Sequence, residues 1–266
     1  MLKKIGFIGA GKMAQAMIAG IVKANGANRD YLMASAATEA TLKAVSEKYG
    51  ILASLNNKDV VKFADILILA VKPDKHTEII NEIKDHINKG TIIVTIAAGI
   101  TLADIERLFG KPVKTVRTMP NTPSLVGEGM SVLCPNHYIN EEELAAVEQL
   151  FHYFSQTERL EETLMDAVPS ISGSSPAYVY ILIEAMADGG VRQGIPREKA
   201  YRLAAQAVLG AAKMILETKE HPGDLKDQVC TPGGATIEAV AALEREQFRG
   251  SILAAMESCT RKVKDL

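Results

Sequence analysis

Short apolar runs alternate with helix-period stretches along the first half of the chain. Runs at residues 4–8, 31–34, 66–71, 92–96 and 113–117 are mostly aliphatic. They are too short for helices and suit strands buried on both faces. Between them, residues 13–23, 39–49, 74–87 and 102–108 space their apolar positions as helices do. This alternation predicts βαβ units and a parallel sheet covered on both sides. A further strand is expected near residues 131–134. Asn140 followed by Glu141-Glu142-Glu143 predicts a helix start, with its acids placed favourably against the dipole.

From about residue 163 the strand signals vanish. Pro176, Pro196 and Pro222 each open a helical stretch, at 177–189, at 197–218 and in a short segment. Proline is tolerated there because the first helical N–H lacks a partner anyway. The stretch 177–187 is apolar nearly all round, and 203–216 carries many alanines. A helix that is apolar on every face needs burial on every face. About a hundred residues of helical domain can hardly supply it, which predicts a homodimer or larger assembly built through this half. Glu184 and Asp188, one turn apart on that helix, are expected to form a polar stripe in the interface.

Composition narrows the class. The 266 residues carry a net charge of −2, with both signs mixed and no basic block to neutralise phosphates, which argues against nucleic acid as a partner. Cys134, Cys230 and Cys259 are far apart and suggest a reducing compartment with neither a disulfide framework nor a zinc site. The opening residues lead directly into a strand pattern with no apolar signal region. The apolar runs are too short to span a bilayer. A soluble, cytoplasmic protein with no membrane partner is expected.

The first strand runs into Gly9-Ala10-Gly11-Lys12-Met13-Ala14, a Gly-x-Gly-x-x-Ala turn opening a helix. The first glycine permits the tight turn, the second lets backbone approach a pyrophosphate, and the small third residue lets helix pack on strand. The expected fold class is therefore α/β, an N-terminal Rossmann-type domain over residues 1–162 with an all-helical substrate-binding and dimerisation domain over 163–266. The second strand lacks the acid that usually holds the ribose of NAD, and Ser35 and Thr38 could donate to a 2′-phosphate instead. NADP(H) is favoured, with NAD(H) as the second option. Ala70-Val71-Lys72-Pro73 and Ala97-Ala98-Gly99 end two further strands, where α/β sheets bind ligands. Lys72 there reads as a solvated lysine before a helix-starting proline.

Met119-Pro120-Asn121 begins a rigid, proline-flanked loop at the same sheet edge. Ser172-Gly173-Ser174-Ser175-Pro176 is a hydroxyl-rich turn opening a helix. Most telling is Thr231-Pro232-Gly233-Gly234-Ala235-Thr236, a turn of little bulk whose free N–H groups, at the positive end of a helix, suit a carboxylate. No Lys, Arg or His stands between Leu160 and Val191, which argues against alcohol oxidation through a lysine base. The five histidines fall in surface-type contexts, and neither a nucleophile–base pair nor metal spacing is evident.

These motifs, with Ala187-Asp188-Gly189-Gly190-Val191 and His221-Pro222-Gly223, resemble those of pyrroline-5-carboxylate reductases in order and spacing, as far as about Arg249. The resemblance implies an enzyme, an NAD(P)H-dependent oxidoreductase that reduces 1-pyrroline-5-carboxylate to L-proline, the final step of proline biosynthesis. It implies cofactor contacts at Ile8, Gly9, Ala10, Gly11, Lys12 and Met13, then at Ser35, Asn56, Ala70, Val71, Lys72 and Pro73. Ala97, Ala98 and Gly99 belong to the same set, and Ala14, Met119, Pro120 and Asn121 are expected beside it. Gly233, Gly234, Ala235 and Thr236 would hold the substrate, with Ser174 and Ser175 nearby and Thr236 in the catalytic role. Family members dimerise through interleaved helical domains and often form decamers. Two other readings are a reductase of another small cyclic imine and an NADP-binding scaffold without catalysis.

Overall fold

A computed structural model describes residues 3–24 and 29–265; the opening Met1-Leu2 lies outside them. The chain divides into two compact units. One takes in the residues up to Ser174 together with those from Cys259 onward, and the other is Ser175–Ser258.

The first unit is built on eight strands: β1 (Ile5–Ile8), β2 (Leu32–Ser35), β3 (Leu52–Ser54), β4 (Ile66–Leu69), β5 (Ile92–Thr95), β6 (Lys114–Met119), β7 (Gly129–Pro135) and β8 (Ser155–Arg159). They lie in the order β3-β2-β1-β4-β5-β6-β7-β8. The pairings from β3 across to β6 are parallel, β7 runs antiparallel to β6, and β8 is parallel to β7. Alternation along the pleat explains why these strands read as unbroken apolar runs. Phe7, Ile66 and Ile68 enter one core cluster with Met17, Ile18, Phe151 and Phe154. Their neighbours Ile8, Leu67 and Leu69 enter a second with Ile80, Ile83 and Ile105.

Helices α1 (Lys12–Lys23), α2 (Glu39–Tyr49), α3 (Asn57–Phe63), α4 (His76–Ile83), α5 (Leu102–Phe109) and α6 (Glu141–Phe151) complete this unit's layers. The expected elements are present with shifted ends, and three more appear. β3 and β8 form the sheet edges and escaped the sequence pattern, β3 because it is only three residues long and β8 because an edge strand needs little apolar content. β8 reads Ser-Gln-Thr-Glu-Arg with only Ser155 buried. The seven-residue α3 is too short to show a helical period. Asn140 caps α6 in a reciprocal capping box with Glu143, as its acidic first turn suggested.

The second unit holds α7 (Ser175–Arg192), α8 (Arg197–Thr218), α9 (Pro222–Val229), α10 (Ala235–Arg245) and the start of α11 (Phe248–Lys264). α7 and α8 approach closely at Gly190, where a side-chain carbon would stand 3.3 Å from the Ala200 methyl. Only Ala187 of α7, and Ala200 and Ala204 of α8, are buried. Tyr180, Ile181, Leu203, Leu209 and Leu216 stand exposed. Among the described residues, no helix is long and apolar enough to cross a membrane.

Candidate functional site

The chain passes from β1 outward to β2 and β3, then returns to place β4 on the other side of β1. Such a switch point leaves a crevice beyond the carboxyl ends of the strands. Gly9 turns the chain there with φ +97°, and a side-chain carbon on it would sit 2.6 Å from the Ala70 carbonyl oxygen. Gly11 caps α1 with no side-chain bond to the helix end, and the first turn carries no acid. A side-chain carbon built on Gly11 meets nothing within 4 Å. The leading N–H groups of α1 thus have no capping side chain from Gly11 and no acid in their own turn, an arrangement that favours an anion. Behind them Ala14 is buried in the β1-side core, so the helix can lie close to the strand. Lys12 is exposed and Met13 half-buried on the same first turn.

A cleft of about 730 Å³ follows from this turn, lined by Ile8, Gly9, Ala10, Gly11, Ser35 and Val71 together with Thr38, Thr41 and Asn57. Lys75, Glu78, Ile79 and Glu82 of the turn into α4 and α4 itself close its far side. Their i, i+3, i+4, i+7 spacing was the signal in the sequence that could have found them. The Ser35 hydroxyl is buried and donates to Asn57 Oδ1 at 2.6 Å, while Asn57 Nδ2 donates to Glu82 Oε2 at 2.8 Å. That proton of Ser35 is engaged within the protein. Thr38 is exposed, caps α2 and points its hydroxyl toward Thr41 Oγ1 at 2.9 Å. Asn56 caps α3 by accepting from Lys58 N–H, and the cleft wall is formed by its neighbour Asn57.

Ala70, Val71, Lys72 and Pro73 follow β4, with the Lys72 side chain exposed. Ala97, Ala98 and Gly99 follow β5, and Ala97 N–H donates to Thr95 Oγ1 at 3.4 Å. His76, expected in a surface context, is instead only 1 % exposed. Its ring lies between the Lys72 carbonyl at 3.1 Å from Nδ1 and the Thr95 hydroxyl at 3.2 Å from Nε2. Burial pushes its pKa below the ordinary histidine value. Met119, Pro120 and Asn121 are buried at the end of β6. Both ends of the Asn121 amide are used inside the unit, donating to the Ser172 carbonyl and accepting from Met130 N–H, each at 2.9 Å. Ser174 Oγ stands 3.3 Å from Cys259 Sγ.

In the second unit, the turn before α10 has Gly233 at φ +68°, a left-handed conformation that glycine adopts without a side-chain penalty. Gly234 N–H donates back to the Thr231 carbonyl at 3.0 Å. Gly234 then stands as the cap of α10 with no side chain accepting from the helix end. The first N–H groups of α10 are left without an intrahelical acceptor. Ala235 is exposed and Thr236 half-buried on that first turn, while Ser175 begins α7. Asp188 of α7 is ion-paired with Arg197.

Against known proteins, residues 162–266 match the family model described as pyrroline-5-carboxylate reductase dimerisation. Residues 4–99 match the model of NADP oxidoreductase, coenzyme F420-dependent. The whole chain aligns with the pyrroline-5-carboxylate reductase of Escherichia coli (strain K12), 44% identical over 266 residues, covering 100% of this chain and 99% of that one. The chain belongs to the pyrroline-5-carboxylate reductase family. Two solved structures of family members agree across its length. That from Coxiella burnetii superposes with a TM-score of 0.91 at 30% identity, covering 99% of this chain and 98% of the other. That from Plasmodium falciparum, with NADP bound, gives 0.88 at 31% identity, covering 99% and 97%. An N-terminal Rossmann-type α/β region followed by an all-helical region is thus the family's architecture as well as this chain's.

Proposed function

We propose that this chain reduces 1-pyrroline-5-carboxylate to L-proline with NADPH, the last step of proline biosynthesis. The observation that carries this reading is end-to-end similarity to the Escherichia coli reductase in a chain that keeps both glycine turns. The Plasmodium relative, crystallised with NADP, supports the choice of dinucleotide, and the absence of an acid at the end of β2 is compatible with a 2′-phosphate. NADH remains the alternative donor.

The residues present fit a dinucleotide. Gly9 and Gly11, with Ile8, Ala10, Lys12, Met13 and Ala14, would hold the pyrophosphate at the open start of α1. Ser35 and Asn56, the latter through its cleft-lining neighbour Asn57, would define the adenosine end together with Thr38. Ala70, Val71, Lys72 and Pro73, with Ala97, Ala98 and Gly99, would hold the nicotinamide ribose against backbone, beside Met119, Pro120 and Asn121. When bound, the reduced dinucleotide supplies the hydride for the imine carbon.

The N–H groups of Gly233 and Ala235 would bind the substrate carboxylate, where helix-end charge favours an anion, and Gly234, whose own N–H is held by the Thr231 carbonyl, would shape the turn around it. The Thr236 hydroxyl would contact the ring nitrogen, with Ser174 and Ser175 nearby. Protonation at nitrogen already makes the imine carbon electrophilic, so the protein's task is mainly orientation and electrostatics. That is consistent with the lack of Lys, Arg and His between Leu160 and Val191.

A working division at 162/163 is supported by the dimerisation model, whose match starts at residue 162. Dimers would form through residues 163–266, with decamers as a further level of assembly. The scattered cysteines support a cytoplasmic location. A substrate panel tests the reading. NADPH oxidation should be fast with 1-pyrroline-5-carboxylate and much slower with the six-membered carboxylated imine and with unsubstituted 1-pyrroline. Equal turnover of all three would point to a broader imine reductase, and cofactor binding without oxidation to a scaffold.

A further inference from the structure

His76 has no place in the chemistry above, yet it is a titratable ring buried between the segment after β4 and the end of β5. A carbonyl oxygen only accepts, so the contact with Lys72 requires the proton on Nδ1. Nε2 of the neutral ring must then accept, and the Thr95 hydroxyl donates to it. That leaves the Thr95 oxygen free to accept Ala97 N–H, as the geometry shows. The four groups form one directed chain: Ala97 N–H to Thr95, Thr95 O–H to His76, His76 N–H to the Lys72 carbonyl. Each donor and acceptor in it has a partner, and no other tautomer of the neutral ring satisfies both ends.

We propose that His76 is a positioning residue for the cofactor, a brace that holds the segment after β4 in register with the segment after β5. This rests on reading those two segments as the walls around the nicotinamide ribose. The β-ladder already pairs Leu69 with Thr95, but it ends there. Beyond it, the only side-chain link between the two segments among the described hydrogen bonds is His76 with Thr95. A buried polar chain of this kind fixes one arrangement, because breaking any link strands a desolvated partner.

The test is an NADPH titration of the full-length protein by fluorescence, which needs no imine, followed by steady-state kinetics. His76→Phe keeps a planar ring without the nitrogens, and Thr95→Val keeps the shape without the hydroxyl. Each should raise the NADPH Kd and KM about tenfold, the scale of one lost buried hydrogen bond. The imine KM should stay within about twofold. The double variant should be no worse than the poorer single, because both break the same chain. His76→Asn, able to donate to the Lys72 carbonyl, should recover part of the affinity. Unchanged NADPH affinity in Thr95→Val, or strictly additive losses in the double variant, would overturn the brace. If His76→Phe does not fold, the Thr95→Val titration decides alone. Tight NADPH binding by a wild-type protein that leaves the imine unreduced would refute the substrate reading and leave this test intact.

Discussion

At the residue scale, the proposed chemistry leans on one hydroxyl. A protonated cyclic imine needs no strong acid or base, so a single polar contact at the ring nitrogen carries more of the selectivity than it would in a site rich in titratable groups. Thr236→Ala should lower kcat by on the order of 10²-fold, whereas Thr236→Ser should keep most of the activity. Unaltered kcat and KM in the alanine variant would remove Thr236 from the mechanism. Gly9 and Gly233 were legible in the sequence because turns with φ near +97° and +68° favour the one residue without a side chain. Ser35 was legible only as a position. That its proton is engaged by Asn57 depends on β2 and α3 meeting in space, which no local pattern reports. His76 was misjudged for the same reason, since its partners lie four and nineteen residues away.

Among the elements, two buried groups show how the sheet is tied together. Arg117 on β6 is 2 % exposed in its side chain and pairs with Glu162 at 3.3 Å and Asp166 at 2.5 Å, carboxylates about a third exposed. Its Nε has no hydrogen-bond partner, so its charge depends on those two acids. Glu162→Gln with Asp166→Asn would leave a buried cation unpaired and should cost on the order of 3 kcal/mol, read by urea denaturation at neutral pH. Arg117→Met should cost less, because the freed carboxylates can reach water; the opposite order would contradict this account.

His76 adds a pH dependence of known sign. Burial lowers its folded pKa from 6.5, so the unfolded chain binds the proton more readily than the folded one. Its contribution is complete above pH 6.5. It is lost as pH falls through that value and levels off below the folded pKa. Wild-type stability should therefore fall more steeply than that of His76→Phe on acidification, and equal slopes would refute it. The central strands β1, β2, β4, β5 and β6 could be read ahead of the structure because both of their faces are buried. β3 and β8 could not, since an edge strand of three residues, or one as polar as β8, is specified by its neighbour's unpaired backbone rather than by its own side chains.

For the whole molecule, the helical unit leaves many large apolar side chains exposed. Tyr180, Ile181, Leu203, Leu209 and Leu216 stand open on α7 and α8, and the matching family model is one of dimerisation. The wild-type protein should run as a dimer or larger species in light scattering at micromolar concentration, and Ile181→Glu should shift it toward monomer with loss of activity. A fully active wild-type monomer would contradict that expectation. The need for a partner was visible in the sequence, because a helix that is apolar all round states its own requirement for burial. The size of the assembly was not, since it depends on how whole surfaces fit.

The most direct test of the central claim is the stoichiometry of the reaction in the purified protein. NADPH consumption and L-proline formation should be followed together, with 1-pyrroline-5-carboxylate as the sole acceptor. The account predicts one L-proline for each NADPH oxidised. NADPH that stays reduced, or that is oxidised without proline appearing, would contradict it.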